Sequence, residues 1–216
     1  MPGFPGCDSS KYPNVAAFLS LPLRWPSAAR PKYSRWLALA ANAINIGEAL
    51  AGPRMDAPSL DIKLEVNGEA VAARVEPRQT LVDFLREELG LTGTHVGCEH
   101  GVCGACTVRL DGEVVRGCLV FAVQCDGSRV ETIEGLSDSG AIADLQLAFQ
   151  RRNALQCGYC TPGVLISAQE LLAGSRVLSR DTIREHMSGH YCRCTGYQAI
   201  VDAIESTARA RAGNAE

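Results

Sequence analysis

The chain is poor in aromatic residues, which make up 6% of its 216 positions. Small aliphatic side chains and bound cofactors must therefore fill much of its interior. No apolar run reaches the roughly 18 residues that a membrane-spanning helix needs. Basic residues do not dominate either. Lys and Arg number 21 against 24 Asp and Glu, a formal charge of −3, with a pI near 5.8. Nucleic-acid binding, which calls for a basic face, is not expected. No Ser/His/Asp set, phosphate-cradling glycine loop or paired-carboxylate motif is found.

Cysteine is what the chain does have, ten in all. Eight fall into two sets, 98/103/106/118 and 157/160/192/194, leaving Cys7 and Cys125 over. Tight sets in a chain of this length favour metal ligation over disulfides. Cys125, between an apolar run and the Asp126-Gly127 turn, reads as a small buried hydrophobe.

Cys98, Cys103 and Cys106 stand at C-x4-C-x2-C spacing inside GCEHGVCGAC, and Cys118 follows after eleven residues. This is the plant-type ferredoxin spacing for one [2Fe–2S] cluster. A structural zinc site shows paired knuckles instead. A loop wrapped around an anionic cluster needs tight turns and inward amides. Gly97, Gly101 and Gly104 can supply positive φ for those turns. His95 and His100 flank the set, within reach of sulfur as hydrogen-bond donors.

Residues 1–58 differ from the rest. They hold eight of the ten prolines and a net charge of +3, against −6 for the remainder. Three readings fit. One is a natural, poorly structured extension. Another is a start codon called too early, with Met55 as the true first residue. The third is a targeting segment ending at Ala49-Leu50-Ala51, an A-x-A form. The last is disfavoured because Asn42 and Asn45 interrupt the apolar stretch and Arg35 lacks the twin arginine of a cofactor-loaded export signal. The expected location is cytoplasmic.

From Leu60 the pattern is globular. Ile62, Leu64 and Val66 alternate with polar residues as a strand. Asn67-Gly68 predicts a type I′ hairpin, with Val71–Val75 as the return strand. Thr80 is the expected N-cap of a helix running to Leu89, ended by Gly90. Strands are expected at Thr107–Leu110, at Val114–Cys118 after the Asp111-Gly112 turn, and at Val130–Ile133. After about Ser137 the period becomes helical, with helices expected near 141–153, 162–173, 180–188 and 197–211. Thr161-Pro162 reads as N-cap plus Pro at N1, and Thr195-Gly196-Tyr197-Gln198 as a capping box. The fold class is α+β: an N-terminal β-grasp, ferredoxin-like domain at 59–136, then a four-helix-bundle domain at 137–212.

Cys157-Gly158-Tyr159-Cys160 and Cys192-Arg193-Cys194 each precede a predicted helix start, where partial positive charge stabilises thiolates. On ligand type alone, zinc and a second iron–sulfur cluster are rivals. A thioredoxin-like redox pair lacks its surrounding βαβ unit. His186 and His190, at i and i+4, could pair on a metal. The four cysteines already complete a ligand set, which leaves the histidines as packing groups.

GCEHGVCGACTV with Cys118, then QCGYCTPG and YCRCTGY, together resemble the iron–sulfur small subunit of the molybdenum hydroxylases, the xanthine dehydrogenase, aldehyde oxidoreductase and aerobic carbon monoxide dehydrogenase family. The likeness covers residues 60–212. It implies two [2Fe–2S] clusters, on Cys98, Cys103, Cys106 and Cys118 and on Cys157, Cys160, Cys192 and Cys194. It implies that Gln156 and Cys194 lie beside a molybdopterin cofactor on a large partner subunit. FAD would sit on a medium partner subunit, in a heterotrimer able to pair as a dimer. The implied role is electron relay: one electron at a time from pterin through both clusters to FAD, with no substrate chemistry on this chain. The rivals are a free-standing two-cluster carrier and a zinc-stabilised interaction module.

Overall fold

The computed structural model describes residues 58–174 and 178–213; the readings offered for the first 57 residues lie outside them. Strand β1 (Leu60–Val66) turns its Ile62, Leu64 and Val66 inward. It pairs antiparallel with β2 (Glu69–Val75). The turn between them has φ of 52° at Asn67 and 86° at Gly68, the two left-handed positions a type I′ hairpin requires. Asp111 and Gly112, at 50° and 93°, repeat the device between β3 (Thr107–Leu110) and β4 (Glu113–Arg116). The last strand, β5 (Arg129–Glu131), enters the middle of the sheet, whose order is β2-β1-β5-β3-β4. It runs parallel to β1 and antiparallel to β3.

Two expected strands end early. β4 stops at Arg116 because Gly117–Leu119 tightens into a 3₁₀ turn, which holds Cys118. β5 stops at Glu131 because Thr132 opens a helix that sequence periodicity missed, α2 (Ile133–Asp138). The Thr132 N–H donates to Asn67 Oδ1 (2.8 Å) and its hydroxyl to Glu134 (2.6 Å). β-branched Val130, Thr132 and Ile133 read as strand, but these polar bonds turn the chain.

One helix lies against the sheet. Thr80 caps α1 (Leu81–Asp83) by accepting from the Asp83 N–H at 3.2 Å. The helix then widens into a π turn over Phe84–Glu88. Its Leu81, Phe84 and Leu85 are buried with Ile62, Leu64, Val108 and Val130 in a first core. A second core gathers Leu145, Phe149, Ile166, Ile183, Ile200 and Ile204. These come from α3 (Ala143–Arg151), α4 (Thr161–Gly174), α5 (Arg180–Met187) and α6 (Gln198–Gly213). Ile133 and Leu136 of α2 pack with the second core. No helix among the described residues is long and apolar enough to cross a membrane.

The two cores meet where the first cysteine loop touches the helices. A Cβ added at Gly163, in the first turn of α4, would overlap the Gly104 carbonyl oxygen. Gly104 itself has φ of 77° and lies against the buried His190 ring. Arg116 of β4 donates to Thr107 and, at 2.9 Å, to the Gly189 carbonyl. Gly163→Ala therefore forces backbone apart. We expect it to lower stability by at least the roughly 1–3 kcal/mol of an overpacked core, read as a lower urea midpoint at unchanged m-value. A wild-type midpoint would show that the contact yields freely.

Candidate metal centres

The first centre is built from a loop without regular structure, held between α1 and β3. Positive φ at Glu99 (58°), Gly101 (84°) and Gly104 (77°) bends residues 98–106 around their own interior. The sequence assigned such a turn to Gly97; the structure uses Glu99 instead. Gly97 serves closeness, since a Cβ there would lie 3.0 Å from Cys103 Sγ. The Cys103 N–H points at Cys98 Sγ from 3.4 Å. Together with the backbone N–H groups of His100 and Val102, it draws the Cys98 thiol down to about 6. Inward amides thus stabilise negative charge on sulfur, as in an anion nest. Cys106 is the opposite case. Burial, with Cys118 and Cys103 close by, pushes its thiol up to about 12. Cys106 and Cys118 sit with Val82 and Val96 in a small buried cluster.

Neither flanking imidazole reaches sulfur. His95 Nδ1 meets the Tyr159 carbonyl (2.7 Å) and His100 Nδ1 its neighbouring Cys98 carbonyl. Backbone amides supply the donors that the histidines were expected to give.

The second centre is built from two helix starts. The Cys160 carbonyl accepts from Val164 N–H (3.1 Å), so Cys160, one residue before the expected Thr161, occupies the cap position of α4. Tyr197 plays that part for α6, accepting from Val201 N–H at 2.9 Å. Thr195 Oγ1 accepts from the Tyr197 N–H at 3.2 Å, but the Gln198 N–H that a capping box needs goes to the Gly196 carbonyl at 2.9 Å. The Thr195 hydroxyl donates to Cys192 Sγ at 3.1 Å. Tyr197 Oη accepts from the Cys192 N–H at 2.9 Å. Burial raises the Cys192 thiol, but hydrogen bonds from the Thr195 hydroxyl, from the N–H groups of Thr195 and Cys194, and from the Cys160 thiol outweigh it and lower it overall. Cys160 is pushed up to about 12, chiefly by burial and then by Cys192. The thiols of Cys157 and Cys194 stand 3.5 Å apart. Gln156 Nε2 donates to the Cys194 carbonyl at 3.0 Å, tying the two loops together.

All eight cysteines of the two predicted sets are free thiols. The sulfurs meet in pairs: Cys98 with Cys103 and Cys106 with Cys118, Cys157 with Cys194 and Cys160 with Cys192. Among the described residues no three His, Cys, Asp or Glu side chains converge on one metal ion. Four thiols in two pairs fit a two-iron core, and coordination deprotonates even a buried thiol outright. His186 and His190 take the packing role. His190 is buried, with Nε2 2.7 Å from Ser167 Oγ, and burial drives its pKa down to about 3. His186 Nε2 lies 3.1 Å from the Ser167 carbonyl and 3.5 Å from Glu170. Cys125 is fully buried and its thiol is pushed up to about 11 by burial.

Comparison with known proteins bears directly on both centres. Residues 64–134 match the family model of a 2Fe-2S iron-sulfur cluster binding domain, and residues 132–205 that of a [2Fe-2S] binding domain. The gamma subunit of caffeine dehydrogenase from Pseudomonas sp. (strain CBB1) is 52% identical, over 67% of this chain and 89% of its own. The small subunit of nicotine 6-hydroxylase from Paenarthrobacter nicotinovorans is also 52% identical, over 67% and 87%. Among solved structures, quinoline 2-oxidoreductase from Pseudomonas putida 86 superposes with a TM-score of 0.68 at 50% identity, covering 73% of this chain and 97% of that one.

The uneven thiols make a reactivity order. In the reduced, metal-free chain, a short iodoacetamide pulse at about pH 7 should alkylate Cys98 well ahead of Cys106 and Cys160, read by peptide mass mapping. A lowered pKa keeps Cys98 a thiolate only above it, so its lead should fade as pH falls through about 6. A Cys98 rate without such a fall would contradict the nest of amides.

Proposed function

The chain belongs to the iron–sulfur small subunits of the molybdenum hydroxylases, and from that premise we propose which residues carry the electrons and in what order. It is the two-[2Fe–2S] electron-transfer subunit of an oxidoreductase complex. Cys98, Cys103, Cys106 and Cys118 hold one cluster; Cys157, Cys160, Cys192 and Cys194 hold the other. When bound, the clusters carry single electrons, entering from a large molybdopterin subunit and leaving toward a medium FAD subunit. Three such chains form a heterotrimer that pairs as a dimer, working in the cytoplasm.

The residues of this chain supply the setting. Amides of the first loop hold negative charge on Cys98, and the Thr195 hydroxyl does so on Cys192; hydrogen bonds to sulfur are a main lever on cluster potential. Gln156 and Cys194 face the pterin, a reading supported by the exposure of Gln156 and its bond to the Cys194 carbonyl. The single observation that carries the function is the pairwise approach of the thiols within each set of four, in two adjoining folds. We read these as a β-grasp domain over 59–136 and a four-helix bundle over 137–212. The separate cores support that division, although α2 begins inside the first range and packs with the second. Relatives at about half identity are named for caffeine, nicotine and quinoline, which points the complex toward nitrogen heterocycles.

The test is purification of the chain with its native partners. A molybdopterin chain and a flavoprotein should co-purify, with about four irons per small subunit, as two such clusters contain. Cys160→Ser should halve the iron and stop flavin reduction by substrate. Cys98→Ser should also halve it, yet leave substrate-driven reduction of the remaining cluster. Normal flavin reduction in Cys160→Ser would refute the order.

A further inference from the structure

The side chains of His95 and Tyr159 lie outside the ligand sets, yet they join them. His95 lies three residues before Cys98, and Tyr159 lies between Cys157 and Cys160. Their rings stack with centroids 4.6 Å apart and planes 17° from parallel. His95 Nδ1 is 2.7 Å from the Tyr159 carbonyl. A carbonyl only accepts, so Nδ1 carries the proton. Tyr159 Oη returns a bond of 2.5 Å to the Val96 carbonyl. Three contacts therefore close a ring between residues 63 and 64 positions apart. Gly97 lies beneath it, where a Cβ would meet the Tyr159 ring at 3.9 Å.

Tyr159 is 48% exposed. A tyrosine so placed can give its hydroxyl to water, and here it gives it to the backbone of the other loop. The same junction is tied at a second point, where Tyr191 N–H, next to Cys192, donates to the Cys103 carbonyl at 2.9 Å. One backbone bond leaves two loops able to rotate about it; a second, rigid attachment removes that freedom.

We propose that His95 and Tyr159 are a positioning pair, clamping the loop of Cys98 to the loop of Cys157 and Cys160 so that the two metal centres keep one separation and orientation. The inference rests on the ligand assignment above. The ring stack sets the angle between loops, and the two hydrogen bonds set their register. Planar stacking and directional bonds resist rotation, whereas aliphatic contact does not.

The experiment uses the purified complex with Tyr159→Phe, Tyr159→Ala, His95→Ala and the double alanine variant. Hydrogen exchange of residues 95–98, iron content and the electron paramagnetic resonance of the dithionite-reduced protein are read on each. Tyr159→Ala and His95→Ala should keep wild-type iron content. Each should speed exchange of residues 95–98 about tenfold, as loss of a stack and a hydrogen bond shifts local opening. Each should also broaden the magnetic splitting between the reduced centres. Tyr159→Phe, which keeps the stack, should retain the splitting. The double variant should be no worse than either single one, because the pair acts as a unit. Wild-type exchange and splitting in Tyr159→Ala would overturn the clamp. Iron content unchanged in Cys98→Ser and Cys160→Ser would overturn the ligand assignment instead, with the exchange rates still deciding whether the loops are clamped.

Discussion

Contact between two backbones governs this molecule: the Gly104 carbonyl of the first cysteine loop against Gly163 in the first turn of α4. No side chain fits there, so both residues must lack one. Around that contact the His190 ring covers Gly104, and Arg116 reaches the Gly189 carbonyl. Tyr191 bonds the carbonyl of Cys103. A sheet with its own core and a set of helices with another are thereby joined through the loops that carry the thiols. Cluster-binding loops placed at such a seam inherit the rigidity of both cores, which loops on an open surface lack.

The two centres reach similar chemistry by different local means. In the first, a loop with three left-handed residues, Glu99, Gly101 and Gly104, turns its amides onto sulfur. In the second, Cys160 caps α4, while Cys192, in the loop before α6, takes hydrogen bonds from the Thr195 hydroxyl and from the N–H groups of Thr195 and Cys194. Each centre contains thiols of opposite tendency. Cys98 and Cys192 are lowered by hydrogen bonds, while Cys106 and Cys160 are raised by burial. Partly buried thiols beside polar donors suit a charge that must be held, yet change by one unit without large rearrangement.

Much of this was legible in the sequence because it rests on local rules. Asn67-Gly68 and Asp111-Gly112 give their hairpins through φ alone, and Thr80 gives its cap through one hydroxyl. The cysteine spacings fixed both thiol sets. What was not legible is the choice each polar group makes among several partners, some near it in the chain and some far. Thr195 matched a capping box, but its hydroxyl donates to Cys192 Sγ and accepts from the Tyr197 N–H, while the Gln198 N–H goes to the Gly196 carbonyl. Thr132 matched a strand until Asn67, 65 residues away, turned it. His95 and His100 were assigned to sulfur by proximity in sequence. Only the fold reveals that backbone carbonyls take their Nδ1 atoms.

The histidines also explain why polar residues accumulate at the seam. A side chain that donates to the backbone of another element fixes how the two elements sit against each other. The Gly189, Ser167 and Tyr159 carbonyls find donors in Arg116, His186 and His95, all from elsewhere in the chain. These donors do not need to touch a metal to matter to it. Each ties the side chain of one element to the backbone of another, and two of them, Arg116 and His95, tie the first part of the chain to the second. Arg116, His186 and His95 are thus means of holding the loops and helices in place while still letting the chain turn sharply enough to present its sulfurs.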